Sequence, residues 1–212
     1  MLSRIREAGI IPVIRAGSPE TAQRIGTALV EAGLTVLEIA MTVPNAAEAI
    51  ASAVRAFGST IIVGAGTITT PELADQAIDA GATFLVTPAL LPQAIDAARR
   101  RAVPVIAGAL TPTEILAAID AGADWVKVFP ASGVGGPAYL RALRGPFPGL
   151  NLVPTGGVSL ESVGPYIQAG AAAVGVGGEL IRPDAVARAD FQAIGRLGRQ
   201  FLEAVQKARS AM

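Results

Sequence analysis

Short apolar runs alternate with helix-forming segments along all 212 residues. The candidate strands are Ile10–Ile14, Val36–Ile39, Ile61–Val63, Phe84–Val86, Val103–Ile106, Trp125–Val128, Leu152–Val153 and Ala173–Val176. Strands that read apolar throughout are buried on both faces, as in a parallel sheet covered by helices. The segments between them open with helix starts. Ser18-Pro19-Glu20, Thr70-Pro71-Glu72 and Thr111-Pro112-Thr113-Glu114 each pair an N-cap hydroxyl with proline at the first helical position, and Thr111 with Glu114 makes a capping box. One long last helix is predicted from about Asp184 to Ala208, with Phe191, Ile194, Leu197, Phe201, Leu202 and Val205 along one side. Eight strand–helix units with no linker or low-complexity stretch predict an α/β fold. It is a single (β/α)8 TIM barrel over residues 1–212 with a short N-terminal helix.

An internal repeat sharpens the register. Ala32-Gly33-Leu34, Ala80-Gly81-Ala82, Ala121-Gly122-Ala123 and Ala169-Gly170-Ala171 each end a helix before an even-numbered strand, at intervals of 48, 41 and 48 residues. Glycine there suits a left-handed helix cap. Six residues after each motif alanine stand Glu38, Val86, Lys127 and Gly175. Alternate strands fill one layer of a barrel interior, and strands two and six are opposite in a ring of eight. Glu38 and Lys127 are therefore expected to face each other across the lumen near its C-terminal mouth.

Lys127 stands out chemically. The chain has two lysines, Lys127 and Lys207, against fifteen arginines, so surface positive charge is ordinarily supplied by arginine. Burial disfavours the ammonium form and leaves a free amine, the species that attacks a ketone to form a Schiff base. The competing readings are a lysine that snorkels past the strand end and a buried ion pair with Glu38. Two glycine-rich turns, Pro154-Thr155-Gly156-Gly157 and Gly175-Val176-Gly177-Gly178, follow strands seven and eight, where barrels commonly hold phosphate on backbone N–H groups. Arg15, closing the first strand, offers a fork to a carboxylate or phosphate. Thr67, in Gly64-Ala65-Gly66-Thr67, offers a hydroxyl after strand three.

Composition narrows the function classes. The formal charge is zero, which gives no electrostatic case for nucleic acid or an anionic membrane. Only 16% of residues are charged and 51% are hydrophobic, so some surface is expected to be covered between subunits. Without cysteine there is no disulfide or thiolate chemistry. Without histidine there is no imidazole zinc site and no histidine acid–base catalyst. The charged, amphipathic N-terminus does not read as a signal peptide and no membrane-length apolar run follows, so a soluble cytoplasmic protein is the expectation.

Several stretches together carry a family resemblance. Ile11-Pro12-Val13-Ile14-Arg15, Leu37-Glu38-Ile39-Ala40-Met41-Thr42-Val43-Pro44, Gly64-Ala65-Gly66-Thr67, Thr87-Pro88, Val126-Lys127-Val128-Phe129-Pro130 and Pro154-Thr155-Gly156-Gly157-Val158 resemble the motifs of the class I KDPG/KHG aldolases. These enzymes act on 2-dehydro-3-deoxy-6-phosphogluconate or 4-hydroxy-2-oxoglutarate. The resemblance implies a trimeric, cytoplasmic barrel of the Entner–Doudoroff pathway that releases pyruvate and glyceraldehyde 3-phosphate and uses no cofactor or metal. It puts the Schiff-base lysine at Lys127 and the acid/base at Glu38. It puts carboxylate contacts at Arg15 and Thr67, pocket walls at Pro88 and Phe129, and the phosphate loops at Thr155-Gly156-Gly157 and Gly177-Gly178. The sequence departs from some members at Thr42, where they carry arginine, and at Gly178, where they carry serine. A metal-dependent pyruvate aldolase, a phosphosugar isomerase or epimerase, an aldolase for the galactonate-derived epimer, and a barrel kept as an oligomeric scaffold are the alternatives.

Overall fold

A computed structural model describes residues 1–211. The first half of the chain runs α1 (Leu2–Ala8), β1 (Ile10–Ile14), α2 (Pro19–Glu31), β2 (Val36–Ala40), α3 (Ala46–Phe57), β3 (Ile62–Gly66), α4 (Pro71–Asp79), β4 (Leu85–Val86) and α5 (Pro92–Arg100). The second half runs β5 (Val105–Ala109), α6 (Pro112–Asp120), β6 (Trp125–Val128), α7 (Pro137–Arg144), β7 (Leu152–Pro154), α8 (Leu160–Gln168), β8 (Val174–Val176), α9 (Pro183–Ala187) and α10 (Phe191–Ser210). All strand pairings are parallel, in the order β7-β6-β5-β4-β3-β2-β1-β8. A parallel bridge from Thr155 to Gly175 joins the two ends into a barrel.

Period-two alternation sorts the strand residues between two cores. Ile10, Ile14, Leu37, Ile39, Val126 and Val128 point outward and pack beneath the helices. Ile11, Val36, Ile62, Phe84, Ile106, Trp125 and Val153 fill the lumen with Ile5 of α1, which closes its N-terminal end. Arg6 lies over the Trp125 ring at 5.3 Å from its centroid, fixing α1 there.

The helix signals act as read. Ser18 and Thr70 accept from the N–H of Thr21 and Leu73, and the Thr111–Glu114 capping box forms in both directions. Gly33, Gly81, Gly122 and Gly170 all have positive φ, between 89° and 100°. Each closes a helix as the repeat predicts.

Three elements differ from expectation by more than a residue at an end. β3 continues through Gly64-Ala65-Gly66, read from sequence as a turn, because these glycines face the lumen and leave room for neighbouring side chains. β5 starts and ends later than predicted, since its Gly108 pairs beside Lys127. The last helix is two: Ala189 takes the left-handed conformation at φ 54°, and Asp190 restarts the helix by accepting from the Ala193 N–H at 2.9 Å.

Candidate active site

Glu38 and Lys127 belong to the inward-facing set of β2 and β6. Glu38 follows Val36 by two residues, and Lys127 follows Trp125 by two, so each stands one layer above the apolar floor. The two strands are four apart in the ring. Both side chains are buried, Glu38 at 3% and Lys127 at 4% exposure.

The layer holds them because glycines on the adjacent strands leave room beside both. Gly64 and Gly66 flank Glu38 on β3, and Gly108 and Val153 pair with Lys127. A methyl at Gly66 would overlap the Glu38 carboxylate, lying 2.5 Å from its Cδ and 2.8 Å from its Cγ. A methyl at Gly64 would meet the Phe84 ring, and one at Gly108 would lie 2.6 Å from the Pro88 carbonyl oxygen. Glycine in these strands is therefore a spatial requirement.

Burial governs the charges. It lowers the Lys127 pKa, an effect reinforced by Arg15 and partly offset by the Glu38 carboxylate. Burial likewise raises the Glu38 pKa, with Lys127 and Arg15 opposing it. Glu38 Oε1 is buried and meets no hydrogen-bond donor among the described residues. Both effects favour the uncharged forms, an amine opposite a carboxylic acid. The Lys127 ammonium position is 4.9 Å from the centroid of the Phe129 ring, which covers it from the mouth side at 37% exposure.

The remaining predicted residues ring the mouth. Arg15 leaves β1 exposed, with Nη1 3.0 Å from where a Gly177 side chain would begin. Arg15, Gly177 and Gly178 line a cleft of about 520 Å³, together with Ile181, Pro183 and Val186. Its guanidinium thus sits against the β8 turn while its charge is felt by both Lys127 and Glu38. Thr67 follows β3 half-buried at φ 58°, a strained conformation for a β-branched residue. Pro88 lies half-buried at the end of β4.

Thr155 is buried with its hydroxyl donating to the Val153 carbonyl at 3.3 Å. Beside it a Gly175 side chain would lie 3.0 Å from Thr155 Cγ2. Gly156 and Gly157 take φ 91° and 70°, so the turn after β7 needs glycine twice.

Sequence reasoning missed Thr87 as a support. Its buried hydroxyl donates to the Ala89 carbonyl at 2.7 Å and accepts from the Gly108 N–H at 2.9 Å, which ties the Pro88 turn to β5 beside Lys127. Its place in a Thr-Pro pair after a strand was the only signal. Gly66 was quoted only as a turn glycine, and its role depends on a contact between strands.

The chain also matches known proteins over most of its length. The family model for KDPG and KHG aldolase matches residues 1–197. A 2-dehydro-3-deoxy-phosphogluconate aldolase of Pseudomonas aeruginosa is 37% identical over 199 residues, covering 93% of this chain and 90% of its own. A 2-dehydro-3-deoxy-6-phosphogalactonate aldolase of Escherichia coli is 32% identical over 202 residues, covering 93% and 96%. Among solved structures, KDPG aldolase of Legionella pneumophila, with pyruvate captured as a covalent carbinolamine, superposes with TM-score 0.87 at 28% identity over 94% of this chain and 97% of its own. The chain, an eight-stranded barrel with a buried lysine and glutamate in one interior layer, belongs to the KDPG and KHG aldolase family.

Proposed function

We propose that this chain is a metal-independent class I aldolase that cleaves 2-dehydro-3-deoxy-6-phosphogluconate to pyruvate and glyceraldehyde 3-phosphate through a Schiff base on Lys127. The observation that carries the reading is the buried Lys127–Glu38 pair, one amine and one acid in an otherwise apolar or glycine-lined layer. Neutral Lys127 attacks the C2 ketone, and loss of water leaves an iminium ion. Glu38 gives its proton to the departing water and, now a carboxylate, removes the C4 hydroxyl proton; the C3–C4 bond breaks, and its electrons pass into the iminium to give an enamine. The aldehyde leaves. The enamine is protonated at C3 and hydrolysed to pyruvate, which frees the amine.

Arg15 and Thr67 would hold the carboxylate, with Pro88 and Phe129 walling the pocket. The turns at Thr155-Gly156-Gly157 and Gly177-Gly178 would anchor the distal phosphate, so that remote binding energy positions the reacting carbons. Among the described residues, Gly156, Gly157 and Gly178 donate their N–H groups to no backbone acceptor, which suits them to an anion.

A reading for the galactonate-derived epimer rests on the 32% identity to the Escherichia coli aldolase of that name, and 4-hydroxy-2-oxoglutarate is a further candidate substrate. We infer a cytoplasmic homotrimer of the Entner–Doudoroff pathway, supported by the charge-poor composition of 16% and by the family resemblance. A panel of phosphorylated and unphosphorylated 2-keto-4-hydroxy acids, assayed for pyruvate with and without EDTA, tests the proposal. Cleavage of the phosphorylated substrates, unaffected by EDTA and lost in Lys127→Ala, is expected. Activity that EDTA abolishes, or that Lys127→Ala retains, overturns it.

A further inference from the structure

Ser132 lies at the turn after β7 although it belongs to the segment after β6. Backbone bonds hold it there: the Ala131 N–H donates to the Thr155 carbonyl at 2.9 Å, and the Ser132 N–H donates to the Gly156 carbonyl at 3.1 Å. The hydroxyl rests on the open face of Gly157. A side chain at that glycine would overlap Ser132 Oγ and stand 2.6 Å from Ser132 Cβ.

The hydroxyl has no structural task. Ser132 begins a single 3₁₀ turn, Ser132–Val134, that has no side-chain cap. The side chain is exposed. A serine placed against a glycine turn by two backbone bonds, with its own donor uncommitted, is arranged to serve a ligand of that turn.

We propose that Ser132 is a specificity-determining residue whose hydroxyl donates to the distal phosphate of the substrate at the Gly156-Gly157 turn. The inference rests on the aldolase reading for the substrate's identity, but not for the presence of an anion site. Ser132 stands five residues after Lys127 on one continuous segment. The group that bonds the ketone carbon and a group that holds the far end of the substrate are therefore joined through the chain itself. The spacing selects for substrates whose anion lies at a fixed distance from the ketone.

The test measures the dissociation constant of inorganic phosphate for the full chain, Ser132→Ala and Ser132→Thr by calorimetric titration. One hydrogen bond to a charged group predicts about tenfold weaker binding for Ser132→Ala. Ser132→Thr keeps the hydroxyl and is expected to restore affinity to within about twofold. In turnover, Ser132→Ala should lower kcat/KM for the phosphorylated 2-keto acid by about the same factor, leaving that for the unphosphorylated substrate unchanged. Equal phosphate affinity in Ser132→Ala and the unaltered chain overturns the assignment. So does an equal loss on phosphorylated and unphosphorylated substrates, which would mark a purely structural residue. Failure of pyruvate to form an imine at Lys127 would refute the aldolase reading alone, since the phosphate titration still decides on Ser132.

Discussion

Replacing Gly66 with alanine separates the chemistry from the fold. The added methyl would overlap the Glu38 carboxylate and sit 2.5 Å from Cδ, where carbon–carbon contact needs roughly 3.4 Å or more. Glu38 must therefore retreat by about 1 Å. Its carboxylate is the free end of a side chain and Oε1 holds no hydrogen bond among the described residues, so the movement breaks little. Gly66 lacks a positive φ, and alanine suits its backbone. A stability loss of about 1–3 kcal/mol is expected from overpacking. A displacement of about 1 Å in a reacting group can cost about 100-fold in rate. The assay is kcat/KM for pyruvate release in Gly66→Ala, with thermal melting alongside. Gly149→Ala, where a methyl meets nothing within 4 Å, is the control. A folded Gly66→Ala protein with unaltered kcat/KM would refute the role of Glu38 and the spatial requirement at this strand.

The pair also predicts opposite pH responses. Arg15 opposes the Lys127 ammonium and Glu38 favours it, so Arg15→Ala should move the amine limb of imine formation to higher pH and Glu38→Leu to lower pH. Rates of borohydride trapping against pH read this, and shifts of equal sign would contradict it. Removing both charges should stabilise the barrel. The Lys127 penalty is complete below its lowered pKa and absent above the ordinary 10.5, whereas the Glu38 penalty is absent below the ordinary 4.5 and complete above its raised pKa. Lys127→Met/Glu38→Leu is thus expected to gain about 1–4 kcal/mol, most between these limits, at about 2–4 °C in Tm per kcal/mol. A lower Tm at neutral pH would show that the pair stabilises the fold.

The opposition of Glu38 and Lys127 was readable because strand alternation has period two and the Ala-Gly repeat fixes where each even strand begins. The apolar floor was readable for the same reason. The extent of β3 was not, since Gly64 and Gly66 look like turn residues until Phe84 and Glu38 occupy the space above them. The break before α10 depends on Ala189 in a left-handed conformation, which alanine does not advertise, and on Asp190 capping the restarted helix. Thr87 and Ser132 act across neighbouring strand ends. Contacts of that kind arise only when the barrel closes.

The central claim is that Lys127 carries the imine. Borohydride reduction in the presence of pyruvate, followed by peptide mapping in a mass spectrometer, tests it directly. The expected result is one reduced adduct on the peptide containing Lys127, absent from Lys127→Ala and without labelling of Lys207. Labelling of Lys207 instead, or no adduct at all in an active protein, would contradict the account.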